Sequence, residues 1–349
     1  MTSPQKGGEG KVRINTIIQG DAMEVLKTLE SESVDCCVTS PPYWALRNYQ
    51  VKNQLGMEAT FEEHIQKICN VFDEIKRVLK KQGNCWVNYG DTYIGSPPGN
   101  KFDGQKDKGD GLYSRLIQRN GIGEDNAKVI VNKYPDPKNP NSLRSREQVI
   151  KQSLPDKCLA IIPFRFAIEM VNRGWILRNV IIWHKPNCMP TSVKDRFTVD
   201  FEYIFFFVKN KRYYFEQIFD PNCEISIKRA EYEKHRKNPS SIGSKSENYG
   251  MPARFVKINP QGHNKRCVWK INTQPFRGAH FATFPTDLIE PMIKAGCPKD
   301  GIVLDCFMGA GTTAVVAKKL GRNYLGIELN KKYIEMAEAR IQNTQGMLV

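Results

Sequence analysis

Six residues near the start of the chain, Thr39-Ser40-Pro41-Pro42-Tyr43-Trp44, bring together a hydroxyl, two consecutive prolines and two large flat rings. The prolines remove two backbone donors and fix φ, so the carbonyls of Ser40 and Pro41 are withheld from a ladder and left for a ligand. The apolar run Val34 to Val38 before them has the length and β-branched ends of a buried strand. Rings at the open end of such a strand stand where α/β sheets hold their ligands. A hydroxyl, a stiff pair of carbonyls and a stacking ring suit a planar heterocycle carrying an exocyclic amine. Taken alone, a Pro-Pro turn with aromatic rings packed nearby reads the same way.

A second chemical stretch lies roughly 260 residues later, at Asp305-Cys306-Phe307-Met308-Gly309-Ala310-Gly311-Thr312-Thr313. Gly309 and Gly311 let backbone approach a ligand where a strand hands over to a helix. Glu328 follows Gly311 by 17 residues, at the end of the next predicted strand, placed to accept hydrogen bonds from a ribose diol. A dinucleotide site would continue to a third glycine, where Ala314 stands here, and to a second mononucleotide half, for which the last residues leave no pattern. No Lys-Ser/Thr pair follows the glycines, which argues against ATP. A single-nucleoside cofactor remains, and S-adenosylmethionine fits. A glycine turn needed only for packing is the structural alternative.

These two stretches need elements to position them. Val12 to Ile18 reads as a strand ending at Gly20-Asp21, and Ala22 to Leu29 as a helix. Phe61 to Lys80 has apolar residues at helical spacing and charges on the other face. Gln82-Gly83-Asn84 is expected to break the chain before a strand at Cys85 to Asn88. Later come a helix over Ile161 to Asn172, strands over Trp175 to Trp183 and Tyr203 to Val208, and Tyr213-Tyr214-Phe215 as a further strand. The last third predicts a helix at Thr286 to Ala295, a strand at Ile302 to Cys306, a helix at Thr312 to Leu320, a strand at Tyr324 to Glu328 and a helix at Lys331 to Gln342. Strand, glycine turn, helix and strand there form one right-handed βαβ unit.

The composition sets the bounds. In 349 residues, 52 Lys and Arg face 37 Asp and Glu, a net +15 that favours a polyanionic partner. Ten cysteines without a C-x-x-C pair and five histidines make structural zinc an unsuitable reading, so no metal is expected. Reduced thiols, no run of 18 apolar residues and a polar, Gly-rich start lead to a cytoplasmic protein without membrane contact. Residues 1–11 read as a disordered lead. Residues 94–157 form an irregular basic loop region: between Gly95 and Lys157, twelve basic residues face eight acidic ones. From Asn222 to Lys270, eleven basic residues face four glutamates, with Tyr232, Tyr249, Phe255 and Trp269 interleaved, as on nucleic-acid surfaces. A solvated surface excursion would carry the same charge.

The order and content of these motifs resemble the permuted, β-group DNA amino-methyltransferases of bacterial and phage restriction–modification systems. The resemblance rests on Thr39 to Trp44 and Asp305 to Thr313. It extends over Gly20-Asp21, Asn88-Tyr-Gly-Asp91, Trp183-His-Lys-Pro186, Glu202-Tyr203 and His280 to Pro285. It implies an α/β, Rossmann-like, mostly parallel methyltransferase sheet with helices on both faces, circularly permuted, plus an irregular DNA-recognition insert. Residues 12–93 and 158–220 would form the catalytic part, 221–270 the target-recognition insert and 271–349 the cofactor-binding part. By the resemblance, Ser40 and the Pro41 carbonyl hold the amine hydrogens, Pro42 stiffens the turn and Tyr43 stacks on the base. Asp305 lies near the methionine amino group, Phe307 to Gly311 wrap the methionine part with Thr312 after them, and Glu328 takes the ribose. Asp21 contacts the adenine edge, and Thr283, Phe284 and Pro285 line the methionine end. Cys306 departs from the family's usual proline.

The resemblance implies methyl transfer from S-adenosylmethionine, leaving S-adenosylhomocysteine, to a base swung out of double-stranded DNA, by a monomer or a homodimer. Ser-Pro-Pro-Tyr goes mostly with cytosine N4 in that family, whereas adenine-directed relatives usually carry Asp or Asn first. Adenine N6 on the same fold is the alternative, and a DNA-binding protein without transfer activity a more distant one. The cytosine 5-position would need a thiolate nucleophile from a Pro-Cys turn, and no Pro-Cys dipeptide occurs.

Overall fold

The computed structural model describes residues 14–44, 54–58, 60–94, 154–155, 157–234, 259–274 and 284–344. The chain divides into two compact units, one of residues 1–215 and 268–349, the other of residues 216–267. The elements expected for residues 1–11, for most of 94–157 and for Tyr249 and Phe255 lie outside the described residues.

In the larger unit the chain runs β1 (Thr16–Gln19), α1 (Ala22–Thr28), β2 (Val34–Thr39), α2 (Phe61–Val78), β3 (Leu79–Tyr89), α3 (Ile162–Asn172), β4 (Ile176–His184) and β5 (Phe201–Val208). The smaller unit holds β6 (Phe219–Asp220), α4 (Glu224–Lys234) and β7 (His263–Asn264). The larger unit then resumes with β8 (Val268–Lys270), α5 (Thr286–Gly296), β9 (Ile302–Asp305), α6 (Thr312–Lys319), β10 (Asn323–Glu328) and α7 (Lys331–Gln342).

Eight strands form one sheet in the order β1-β10-β9-β2-β3-β5-β4-β8. All neighbouring pairs are parallel except those of β5, which runs antiparallel to both β3 and β4. This is the mostly parallel α/β sheet expected. The chain leaves β2 toward β3 and leaves β9 toward β10, in opposite directions from the middle of the sheet. The crevice at the carboxyl ends of β2 and β9 is therefore a topological switch point, where such sheets bind ligands.

Alternation along β5 shows how the strands bury both faces. Phe205 and Phe207 pack with Phe166 of α3 on one side, while Phe206 stacks on Trp86 of β3 on the other, ring centroids 4.0 Å apart. Each ring is buried, and each contributes about 1.5–3 kcal/mol of transfer free energy. Cys36, Cys37, Cys85 and Cys306 are buried thiols, and burial raises the pKa of each.

Three expectations are corrected. The break at Gln82-Gly83-Asn84 is a bulge inside β3: Val34 pairs with Leu79 but Cys36 with Asn84, so β3 crowds extra residues against β2. Tyr213 to Phe215 is not a strand. Tyr213 and Phe215 instead lay their rings on Phe206, and the Tyr214 N–H donates to Gln82 O at 2.9 Å. Trp269 is not a surface ring of an insert. It is buried in β8, with its strand paired to β4.

The smaller unit also has more order than its sequence period suggests. β6 and β7 pair antiparallel, Lys265 Nζ donates to Asp220 Oδ1 at 3.0 Å, and α4 spans Glu224–Lys234. Among the described residues, no helix is long and apolar enough to cross a membrane, and no His/Cys/Asp/Glu cluster could hold a metal ion.

Candidate active site

The two chemical turns are neighbours because β2 and β9 are paired. Thr39, the last residue of β2, donates its hydroxyl to Asp305 Oδ1 at 2.6 Å across 266 residues of chain. Thr313 of α6 donates to Asp305 Oδ2 at 2.6 Å, and the Phe307 N–H to Oδ1 at 3.1 Å. Asp305 is fully buried, and the residues lining the adjacent cavity do not include it. Its carboxyl ties both turns together through Thr39, Thr313 and the Phe307 N–H.

Burial raises the Asp305 pKa to about 6, against Thr313, Thr39 and the Phe307 N–H, which favour the carboxylate. The folded chain therefore holds this proton more tightly than the unfolded chain, whose carboxyl stays near 3.8. The contribution of Asp305 to stability rises as pH falls from above about 6 and is complete below 3.8. In Asp305→Asn that dependence is absent. Urea unfolding should show the stability gap between wild type and variant shifting by about 2 kcal/mol in favour of wild type between roughly pH 7.5 and pH 4.5. A gap independent of pH would contradict the raised pKa.

Between the turns lies a cavity of about 260 Å³. Its lining includes Ser40, Pro41, Pro42 and Tyr43 from the early turn and Phe307, Gly309 and Thr312 from the late one, together with Asp21, Phe284 and Glu328. Gly311, expected in the ligand loop, is not in the lining. Its φ is +78°, and a Cβ there would lie 2.7 Å from the Ala337 Cβ, so this glycine is required by packing on α7. Pro285 is buried at the N-cap of α5 and is likewise outside the lining, while Thr283 lies outside the described residues.

At the glycine end, Glu328 Oε2 accepts from the Gly309 N–H and Oε1 from the Asn330 N–H, both at 2.8 Å. Each oxygen keeps a second lone pair for hydroxyl donors. Burial raises the Glu328 pKa, offset in part by those backbone donors. At Gly309, whose φ is +52°, the nearest heavy atom to an added Cβ is 3.9 Å away, so the space beside this backbone is open. Asp21 caps α1, accepting from the Met23 N–H at 2.9 Å. A carboxylate pair, Asn330, and the rings of Phe284, Phe307 and Tyr333 around an open backbone suit a nucleoside with a ribose diol and a flat base.

At the prolyl end, Trp44 anchors the turn by donating to Glu58 O at 3.1 Å and packing edge-on against Phe61. Gly90 makes room for Tyr43, since a Cβ there would meet the ring at 2.7 Å. The Tyr43 hydroxyl donates to Glu202 Oε2 at 2.8 Å and lies 3.4 Å from Ser40 Oγ. Glu202 also accepts from Asn88 Nδ2 at 3.0 Å and from Lys185 Nζ. Lys185 sits 4.3 Å above the Trp183 ring, and the Trp183 indole N–H donates to Ile271 O at 2.8 Å.

Asn88, Trp183, Lys185 and Glu202 all line the cavity, yet sequence reasoning gave them no role. The available signal was the position of Trp183-His-Lys and Glu202 at facing ends of two predicted strands. Their pairing, Trp183 with Glu202, depends on β5 being antiparallel.

The Rossmann-like sheet carries a nucleoside-sized cavity that opens onto a hydroxyl, prolyl carbonyls and a ring. The chain belongs to the DNA methylase family: the model of that family, N6_N4_Mtase, matches residues 34–339. Type II methyltransferase M.Cfr9I of Citrobacter freundii is 36% identical over 327 residues, 94% of this chain and 87% of that protein. In fold, the chain is similar to PvuII DNA methyltransferase (cytosine-N4-specific), with a TM-score of 0.55, 17% identity, and 95% of this chain and 87% of that chain covered. It is also similar to TTHA0409 of Thermus thermophilus, solved complexed with S-adenosyl-L-methionine. There the TM-score is 0.51 and the identity 21%, with 93% of this chain and 94% of that one covered.

Proposed function

We propose that this protein is a type II DNA methyltransferase that uses S-adenosylmethionine to methylate the exocyclic N4 of a cytosine swung out of duplex DNA. The observation that carries the reading is the single cavity shared by the Ser40-Pro41-Pro42-Tyr43 turn and the Phe307 to Gly309 turn. When bound, S-adenosylmethionine supplies a methyl group on a sulfonium sulfur. Glu328 would hold its ribose hydroxyls, Asp21 its adenine edge, and Phe284, Phe307, Gly309 and Thr312 its remaining length.

The rest is the work of the chain's own groups. An amino nitrogen conjugated to a ring is a poor nucleophile, and its two hydrogens need acceptors to bring its lone pair out of conjugation. The Pro41 carbonyl can only accept. Ser40 could accept or donate, and its neighbours decide which. Glu202 as a carboxylate only accepts, so the Tyr43 proton is drawn to it, and the Ser40 proton to the Tyr43 oxygen. Ser40 thereby presents lone pairs to the cavity and suits an amine in preference to a carbonyl. In-line transfer between two positioned partners needs no covalent intermediate, and orientation can supply about 7–11 kcal/mol in favourable cases.

Ser40→Ala is expected to lower methyl transfer by about tenfold, the worth of one hydrogen bond in a desolvated site, while cofactor affinity is kept. Single-turnover rates check this, and an unchanged rate would contradict the role. The smaller unit, residues 216–267, which holds most of the basic stretch 221–270, is proposed to read the target sequence. The acceptor base is tested by methylating duplex DNA with labelled cofactor, digesting it to nucleosides and weighing them. N4-methyldeoxycytidine is the expected product. N6-methyldeoxyadenosine would establish the adenine alternative, and no labelled nucleoside would leave a DNA-binding protein without transfer.

A further inference from the structure

β4 and β5 are joined by residues 185–200, a long connection for an antiparallel pair. Its feet are built into the candidate active site. Lys185 and Glu202 line the cavity, and the Lys185 N–H closes the base of the loop on Asp200 O at 2.7 Å. Asn187 exchanges bonds with Thr273, another lining residue, at 3.0 and 2.9 Å. The outer part is tethered as well. Asp195 pairs with Lys157, and the Arg196 guanidinium lies 3.9 Å from the centroid of the Tyr93 ring.

With both preceding residues held by the body of the unit, Phe197 is turned outward and is 96% exposed. Met189 on the same loop is 88% exposed. Large apolar side chains usually find burial in a fold, and no core side chain among the described residues covers this ring. The setting indicates the partner's chemistry. Lys194 is exposed, and the loop's two aspartates are both engaged, Asp195 by Lys157 and Asp200 by His184 at 3.3 Å. The local surface is therefore cationic and apolar at once, beside a cavity sized for a base, in a chain of net charge +15.

We propose that Phe197 is a wedge that enters the base stack of duplex DNA and fills the place left by the nucleotide that occupies the cavity. The inference rests on the base-extrusion reading given above. Apolar side chains are inserted between base steps by other DNA-bending proteins, where they offset the unstacking. Here the wedge stabilises the extruded state, so its value depends on how firmly the target base is paired.

The modified position is first located by sequencing DNA from cells that make the protein. Two oligonucleotide duplexes carrying that site are then compared in single-turnover methylation, one fully paired and one with an abasic position opposite the target. Phe197→Ala is expected to lose about tenfold to a hundredfold on the paired duplex and to come within about threefold of wild type on the abasic one. Phe197→Trp should retain activity on both. Equal losses on both duplexes, no loss on either, or a change in sedimentation without a change in methylation would overturn the wedge. If wild type modifies no base in either duplex, the functional reading fails, independently of Phe197.

Discussion

Tyr43→Ala is expected to slow methyl transfer by about a hundredfold to a thousandfold while the affinity for S-adenosylmethionine stays within about threefold of wild type. The expectation follows from where the ring sits. Tyr43 lies against Gly90 at the prolyl end of the cavity, and its ring is 5.4 Å from that of Tyr89. Glu328 and Gly309, which would hold the cofactor, line the other end of the cavity. Removing the ring takes away the stacking surface for the extruded base and also the hydroxyl that orients Ser40 toward the amine. Tyr43→Phe separates the two, because it keeps the surface and loses the hydroxyl's bonds, those to Glu202, Asn88 and Ser40 among them. Its rate should lie between those of wild type and the alanine variant. Equal affinity loss for cofactor and DNA in Tyr43→Ala would show instead that the turn has collapsed.

Glu328→Ala has the opposite signature. Cofactor affinity should fall by about thirtyfold to a few hundredfold, since the change removes the proposed acceptors for two hydroxyls and leaves the Gly309 and Asn330 N–H groups without the carboxylate they bond. Equilibrium binding of S-adenosylhomocysteine measures it, and saturating cofactor should restore much of the rate. Burial raises the Glu328 pKa, and hydrogen bonds from hydroxyl donors favour its charged form. Cofactor binding should therefore weaken as pH falls through that pKa, and Glu328→Gln should flatten the dependence. Wild-type affinity in Glu328→Ala would remove the carboxylate from the site.

The central strands and the last βαβ unit were legible because their residues carry a local period and end in distinctive turns. β2, β9, β10 and the helices α2, α6 and α7 lie within a residue or two of expectation. Gly83 misled because a glycine in a strand marks either a break or a bulge, and only the partner strand decides which. Trp269 misled because β8 is three residues long and flanked by cations, too short to show alternation. Tyr213 to Phe215 has β-forming residues, but their rings are used to cover Phe206.

At the site, residue types were readable and side-chain directions were not. Asp305 and Glu328 end adjacent strands and look alike in sequence, yet one points into the core and the other into the cavity. Thr39 and Thr313 decide the first case, and neither is marked by spacing. The link from Tyr43 to Glu202 spans 159 residues and requires β5 to run against its neighbours. Nothing local to Glu202 signals that. Gly311 carries a packing constraint from Ala337, on a helix whose approach no motif encodes.

The spatial core of the account is that one cavity holds the methyl donor at the glycine turn and the acceptor base at the prolyl turn. A crystal structure with S-adenosylhomocysteine and cognate duplex tests it most directly. Ribose hydroxyls are expected on Glu328, the sulfur facing the Ser40 to Tyr43 turn, and an extruded base on Tyr43 with its amine at Ser40 Oγ and the Pro41 carbonyl. A nucleoside bound away from Glu328, or a target base left in the helix or seated apart from Tyr43, would contradict it.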